Sequence, residues 1–312
     1  MPSALPPRFG LQLWPQQTTW LEFRDSALAA EAAGWDSIWT WDHLLAIQGP
    51  WEQPIYEGWS LLTAVAAVTE RVRIGLMVGA NTFRNPGLTT KLAINLDHIS
   101  NGRAVLGIGG AWFEREHEAF GIPFGSSVGE RLDWLAEAVP LIRRLLDGEV
   151  VTHEGRFYRF KDALAVPRPI QERLPILIGG SGPKKTIPIV ARYADGWNTS
   201  GTVEEVSASL DTLREQCEAV GRDSAGIELT VSFPTIIRDT VEAAEAARAA
   251  QLAHNGMQSL GGVATLTGSP DAIVETLRPY LELGFSTVIA RMPAPFDRET
   301  IDRLPEVRAL LR

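Results

Sequence analysis

The chain has 312 residues, 45% of them apolar, and a formal net charge of −9, which supplies a large core and argues against a nucleic-acid footprint or a polybasic membrane patch. A single cysteine, Cys217, excludes an internal disulfide and most cysteine metal sites, and no apolar run approaches membrane-spanning length. Met1–Gly10 holds three prolines and no apolar signal-peptide core, so a soluble, cytoplasmic α/β protein is expected.

Strand and helix signals alternate along the chain. Phe9–Trp14 reads as a first strand, and Thr19 with Glu22 forms a capping box for an alanine-rich helix stopped by Gly34. Trp35–Trp41, Val72–Val78 and Ala104–Ile108 are the next three strands, separated by helices over Trp59–Thr69 and Pro86–Ser100. Pro175–Ile178 is the fifth strand, Asp195–Asn198 opens the sixth, Ile227–Phe233 is the seventh and Phe285–Ala290 the eighth. Thr202 with Glu205 caps a helix reaching Val220, Asp239–His254 is helical, and Ser269-Pro270 starts a helix closed by Gly284.

Eight strands alternating with helices predict an α/β chain folded as one (β/α)8 TIM barrel domain over residues 1–312. A doubly wound open sheet is the alternative, because periodicity alone does not show closure. The repeat is interrupted over residues 111–174, where a helix at Gly129–Leu146 and a hairpin at Val150–Val166 turning at Glu154-Gly155 are expected. A second, glycine-rich insertion covers 255–267. Insertions this long after barrel strands generally build or cover the site.

The fifth strand runs into Gly179-Gly180-Ser181-Gly182, then Pro183, Lys184, Lys185 and a helix. Such a turn gathers unpaired N–H groups at a helix N-terminus, and the two lysines add positive charge, so a phosphate cradle is expected; an ordinary tight turn is the alternative. A Walker A loop is excluded because no glycine stands immediately before a Lys-Ser/Thr pair, and a dinucleotide fingerprint because the turn lies past mid-chain. Asp42 and His43 follow the second strand, Gly79-Ala80-Asn81-Thr82 the third, and Gly109-Gly110-Ala111-Trp112 the fourth. So many glycines on one rim suggest a large flat ligand across the barrel mouth.

Four stretches, Trp39–His43, Gly79–Pro86, Leu106–Trp112 and the GGSGPKKT…ARYADGWN segment, resemble the luciferase-like monooxygenase superfamily over nearly the whole chain. The last resembles most the branch using the deazaflavin coenzyme F420. The resemblance implies hydride transfer between coenzyme F420 and a small-molecule substrate, the alternative being an FMN-dependent monooxygenase using oxygen. It further implies cofactor binding at Asp42, Val78, Gly79, Asn81, Gly107, Gly109, Gly110, Gly179, Gly180, Ser181 and Gly182, with a kink, as a cis peptide or β-bulge, between Met77 and Ala80. His43 is the expected catalytic residue, since a histidine titrates near working pH and can supply a proton; a loop histidine satisfied by Asp42 is the plain alternative. His98, His117, His153 and His254 share no spacing that pairs them on one face.

Where deazaflavin sugar-phosphate dehydrogenases carry a tryptophan and a glutamate, this chain has Ile47 and Trp112, with Glu114 and Glu116 nearby, so a sugar phosphate is not the expected substrate. Trp14, Trp39, Trp41, Trp51, Trp59 and Trp112 near strand ends favour an apolar or aromatic one. A Schiff-base aldolase is disfavoured because no lysine falls inside a predicted barrel strand. A non-enzymatic flavin carrier is a further class. No nucleic-acid or membrane partner is expected, and a homodimer is, because similar proteins are commonly dimers.

Overall fold

The computed structural model describes residues 6–260 and 264–311; residues 1–5, 261–263 and 312 lie outside, and with them the N-terminal tip and the middle of the second expected insertion. Eight parallel strands follow in chain order: β1 (Arg8–Leu13), β2 (Ser37–Thr40), β3 (Arg73–Leu76), β4 (Ala104–Gly109), β5 (Ile176–Gly179), β6 (Gly196–Thr199), β7 (Glu228–Ile237) and β8 (Thr287–Met292). Each pairs with the next, and β8 returns to β1 with Gly10 opposite Ile289 and Gln12 opposite Arg291. The barrel is closed, which excludes the open sheet.

Helices α1 (Trp20–Ala32), α2 (Gly58–Val68) and α3 (Pro86–Ile99) surround the first strands. The expected box of Thr19 and Glu22 caps α1 on both sides. After β4 come α4 (Glu114–Phe120) and α5 (Val128–Leu146). The sequence places α5 within an insertion, but it buries Leu135, Ala138, Val139, Ile142 and Leu145 at helical spacing and packs between α3 and α6 (Thr186–Tyr193). It is therefore the ring helix of the fourth unit, and the inserted material is α4 and an antiparallel hairpin, Val151–Glu154 with Arg159–Ala163, turning at 155–158. Next come α7 (Val203–Ala219), with its Thr202–Glu205 box, and α8 (Val241–His254). α9 (Pro270–Glu282), capped by Ser269, α10 (Arg298–Asp302) and α11 (Leu304–Leu310) complete the ring. No helix among the described residues is long and apolar enough to cross a membrane.

Strand ends differ from expectation where tertiary partners decide them. β7 runs on to Ile237 because Leu266–Gly268 pairs beside Thr235–Ile237. β3 stops at Leu76, the Met77–Val78 peptide is cis, and Gly79–Ala80 rejoins the sheet against Ile108 and Gly109. The expected kink is there.

The barrel interior is filled by Trp39, Met77, Val105, Leu177 and Ile289. An indole fits only because two strand positions opposite it lack side chains. A Cβ on Gly10 would lie 2.7 Å from Trp39 Nε1, and one on Gly75 would lie 2.7 Å from Trp39 Cζ3. The Trp39 N–H donates to Ser37 Oγ at 2.8 Å, so its polar end is satisfied inside the barrel. We expect Trp39→Ala to lose about 3–5 kcal/mol through the cavity it leaves. Gly75→Ala should lose about 1–3 kcal/mol through overpacking. Urea denaturation of each variant checks both values.

Candidate active site

The C-terminal ends of the barrel strands enclose a cavity of about 590 Å³, the side on which (β/α)8 enzymes place their sites. Asp42, His43, Val78, Gly79, Gly109, Gly110 and Gly179–Gly182 line it, so ten of the twelve residues expected from the sequence converge there. Asn81 and Gly107 do not line it. Asn81 is buried beside the cavity and donates from Nδ2 to the Tyr158 hydroxyl at 3.1 Å, tying the loop after β3 to the inserted hairpin. Gly107 lies beneath, where a Cβ would stand 1.8 Å from the Leu76 carbonyl oxygen, so it makes room for the end of β3. Gly109 and Gly179 do the same for Val78, whose methyls would lie 2.8 Å and 3.0 Å from Cβ atoms there.

Asp42 is 1% exposed and fully engaged. Its Oδ2 accepts from the Ala80 N–H at 3.0 Å, and Arg84 grips both oxygens, Nη1 to Oδ2 at 2.6 Å and Nη2 to Oδ1 at 3.0 Å. Arg84 Nη2 also reaches Glu57 Oε1 at 2.7 Å. Burial by itself pushes the Asp42 carboxyl up, while Arg84 and the Ala80 amide work the other way. Burial would lower Arg84, but the charges of Asp42 and Glu57 outweigh it and raise the guanidinium. Asp42 thus fixes the end of β3 and does not hold His43.

His43 is held by another carboxylate. Its Nδ1 lies 2.8 Å from Glu116 Oε1, and Glu116 Oε2 accepts the Leu44 N–H at 2.8 Å. The imidazole, 9% exposed, is walled edge-on by Trp41, Trp112 and Phe113 and lines the cavity. With Nδ1 donating to Glu116, Nε2 carries the lone pair and is the nitrogen left to exchange a proton. The other four histidines make structural contacts. His98 bonds the Arg168 carbonyl, His254 the Gln17 carbonyl, His153 Glu137, and His117 both Phe113 O and Thr82 Oγ1.

On the opposite wall, Gly180 has φ +114°, which favours glycine, and its N–H and carbonyl bond Asn198 O and Trp197 Nε1. The next amides, Ser181 and Gly182, have no hydrogen-bond partner among the described residues, and neither has that of Thr186. Lys185, at the N-cap of α6, gives that helix no side-chain cap. Free N–H groups at an uncapped helix start fit an anionic phosphate oxygen. The lysines divide: Lys184 is exposed, but Lys185 is drawn away to Asp133 and, at 2.9 Å, to the Gly129 carbonyl.

Of the six tryptophans near strand ends, Trp14, Trp41 and Trp112 line the cavity, Trp39 and Trp59 are core, and Trp51 lies outside under the Arg115 guanidinium. Three residues escaped assignment from the sequence. Glu116 is 73 positions from His43, so no local pattern links them. Arg84 stands in a motif already singled out, though nothing local shows its partner. Arg291 lies one residue beyond the expected end of the eighth strand, and a cation in an apolar barrel strand was a usable signal.

This mouth-facing arrangement on a closed parallel barrel defines the (β/α)8 enzyme class. Within that class the chain belongs to the luciferase-like monooxygenase family, whose sequence profile matches residues 3–265. It is 33% identical to an F420-dependent glucose-6-phosphate dehydrogenase of Nakamurella multipartita, covering 98% of each chain. Its fold is similar to that of an F420-dependent secondary alcohol dehydrogenase solved with an F420–acetone adduct, with TM-score 0.85 and 19% identity over 99% of this chain and 100% of that one. It is also similar in fold to the F420-dependent tetrahydromethanopterin reductase of Methanopyrus kandleri, with TM-score 0.82 and 21% identity over 99% and 100% of the two chains.

We expect Arg84→Met to lose about 3–5 kcal/mol, because Asp42 would remain buried without its counter-charge. With Arg84 gone, burial raises the folded Asp42 carboxyl further above its unfolded value, so the folded state takes up a proton more readily. The deficit should therefore narrow as pH falls toward 5 and widen toward 8. Denaturation of wild type and variant across that range checks magnitude and sign.

Proposed function

We propose that this chain is an oxidoreductase that uses coenzyme F420 to transfer a hydride to or from a small-molecule substrate. The observation that carries the reading is a single cavity with an anion-ready amide cradle on one wall and a carboxylate-held histidine on the other. The relatives support the choice of coenzyme. When bound, coenzyme F420 supplies a two-electron carrier that gives or takes a hydride. Ser181, Gly182 and Thr186 would hold its phosphate through their amides, with Gly180 keeping the approach clear. Val78, Gly79, Gly109, Gly110 and Gly179 would line the ring's seat, and Asp42 would keep the Gly79–Ala80 backbone in place beside it.

His43 Nε2 exchanges the proton that accompanies hydride transfer, and Glu116 fixes the tautomer and stabilises the imidazolium. Trp14, Trp41, Trp112, Ile47 and Leu132 exclude water and suit an apolar or aromatic substrate body. The proposal includes a homodimeric, cytoplasmic protein of one domain without nucleic-acid partners; sedimentation at the 34.1 kDa monomer mass would overturn the dimer.

Equilibrium titration of the apo-protein with coenzyme F420 and with FMN tests the cofactor. Tighter binding of F420 is expected, and a clear preference for FMN refutes it. Once a substrate is in hand, His43→Ala should lower turnover by roughly 10²–10⁴ while leaving coenzyme affinity in place. Glu116→Gln should lower kcat in the same direction by a smaller factor. Wild-type turnover in the His43 variant removes its assigned role.

A further inference from the structure

Arg291 is a cation lining the cavity without a counter-ion among the described residues. It stands on β8, where its register partners are Gln12 on β1 and Pro234 on β7, and neither can neutralise a guanidinium. All three line the cavity. The only carboxylate among the cavity's lining residues is Asp42, and both of its oxygens are taken by Arg84 and the Ala80 amide. Arg291 Nε and Nη2 are buried and have no hydrogen-bond partner among the described residues. Burial pushes the guanidinium down, and no neighbouring acid opposes it.

Two more unmatched donors line the same cavity. The indole nitrogens of Trp14 and Trp41 are buried without a partner among the described residues, and their rings lie 4.6 Å apart. Trp14 follows β1, and its backbone N–H bonds the carbonyl of Met292, the residue after Arg291. Buried polar groups are nearly always satisfied, and an unpaired buried cation is costly. Arg291 Nε and Nη2 and the two indole nitrogens are all donors, so a partner common to them is rich in acceptors. A guanidinium fork is suited to a planar carboxylate held through two parallel bonds.

We propose that Arg291 forms an anion subsite that holds the carboxylate of a small organic acid whose apolar or aromatic body lies against Trp14 and Trp41. This rests on the proposed function in taking that acid as the substrate of the F420 reaction. The same chemistry could come from an anionic edge of the coenzyme, and the experiment separates the two sources.

Benzoate and benzyl alcohol, which share the aromatic body and differ in charge, are titrated into the apo-protein and then into protein saturated with coenzyme F420. Binding is read by calorimetry and by tryptophan fluorescence. Wild type should prefer benzoate in both states. In Arg291→Met that preference should fall by about 10- to 100-fold, the worth of a charge-assisted hydrogen bond. Arg291→Lys, which keeps the charge without the fork, should retain an intermediate preference and covers the case in which the methionine variant does not fold. Coenzyme affinity should change less than twofold in both variants, and the melting temperature should not fall.

The proposal is overturned if wild type does not distinguish benzoate from benzyl alcohol, or if Arg291→Met keeps the preference. Loss of coenzyme affinity with benzoate binding intact also overturns it and assigns the guanidinium to the coenzyme. The apo-protein measurement precedes any coenzyme, so failure of the F420 reading shows separately, in the coenzyme titration alone.

Discussion

Asp42 carries a charge into a place with almost no water, and the mouth of the barrel is arranged around how that charge is met. Two bonds from Arg84 and one from the Ala80 amide satisfy it, and they come from the segment just past β3. That segment leaves the barrel ladder at Leu76 and rejoins it at Gly79, so its path is set by the carboxylate as well as by strand pairing. The next residue along, His43, is thereby placed at the cavity wall, where Glu116 from α4 takes over. One buried ion pair fixes the frame and a second carboxylate holds the histidine. A carboxylate bonded to one ring nitrogen is a common way to hold a histidine in one tautomer.

The glycines serve two different needs. Gly10, Gly75, Gly107, Gly109 and Gly179 stand where a side chain would strike Trp39, the Leu76 carbonyl or Val78, so they are demanded by packing within the protein. Gly180 is demanded by its backbone conformation and leaves the following amides free. A glycine-rich rim is therefore partly an internal fitting and partly a ligand seat. Only the second kind says anything about what binds.

The cavity's polar groups are unevenly matched. His43 and Asp42 have partners, whereas Arg291 Nε and Nη2 and the indole nitrogens of Trp14 and Trp41 have none among the described residues. A protein that leaves donors unmet inside a walled cavity loses stability by it, and such groups belong with ligand recognition. The apolar walls expected from the tryptophans are present, and the subsite proposed at Arg291 would add an acidic end to the substrate that composition gave no reason to expect.

The barrel itself was legible in the sequence, because strand–helix alternation, the Thr19–Glu22 and Thr202–Glu205 boxes and the Ser269-Pro270 start are all local signals within a few residues. So were the rim residues, since parallel barrel topology carries every strand's C-terminal end to one side. Closure was not legible, because it depends on β8 meeting β1 from the far end of the chain. The place of α5 depended on which helices flank it, and the ends of β3 and β7 on partners outside their own segments. The pairings that hold the cavity's polar residues, His43 with Glu116 and Asp42 with Arg84, join residues 73 and 42 positions apart. A linear pattern holds no record of distances across a fold, so a residue's type was readable from the sequence while its partner was decided only when the barrel closed.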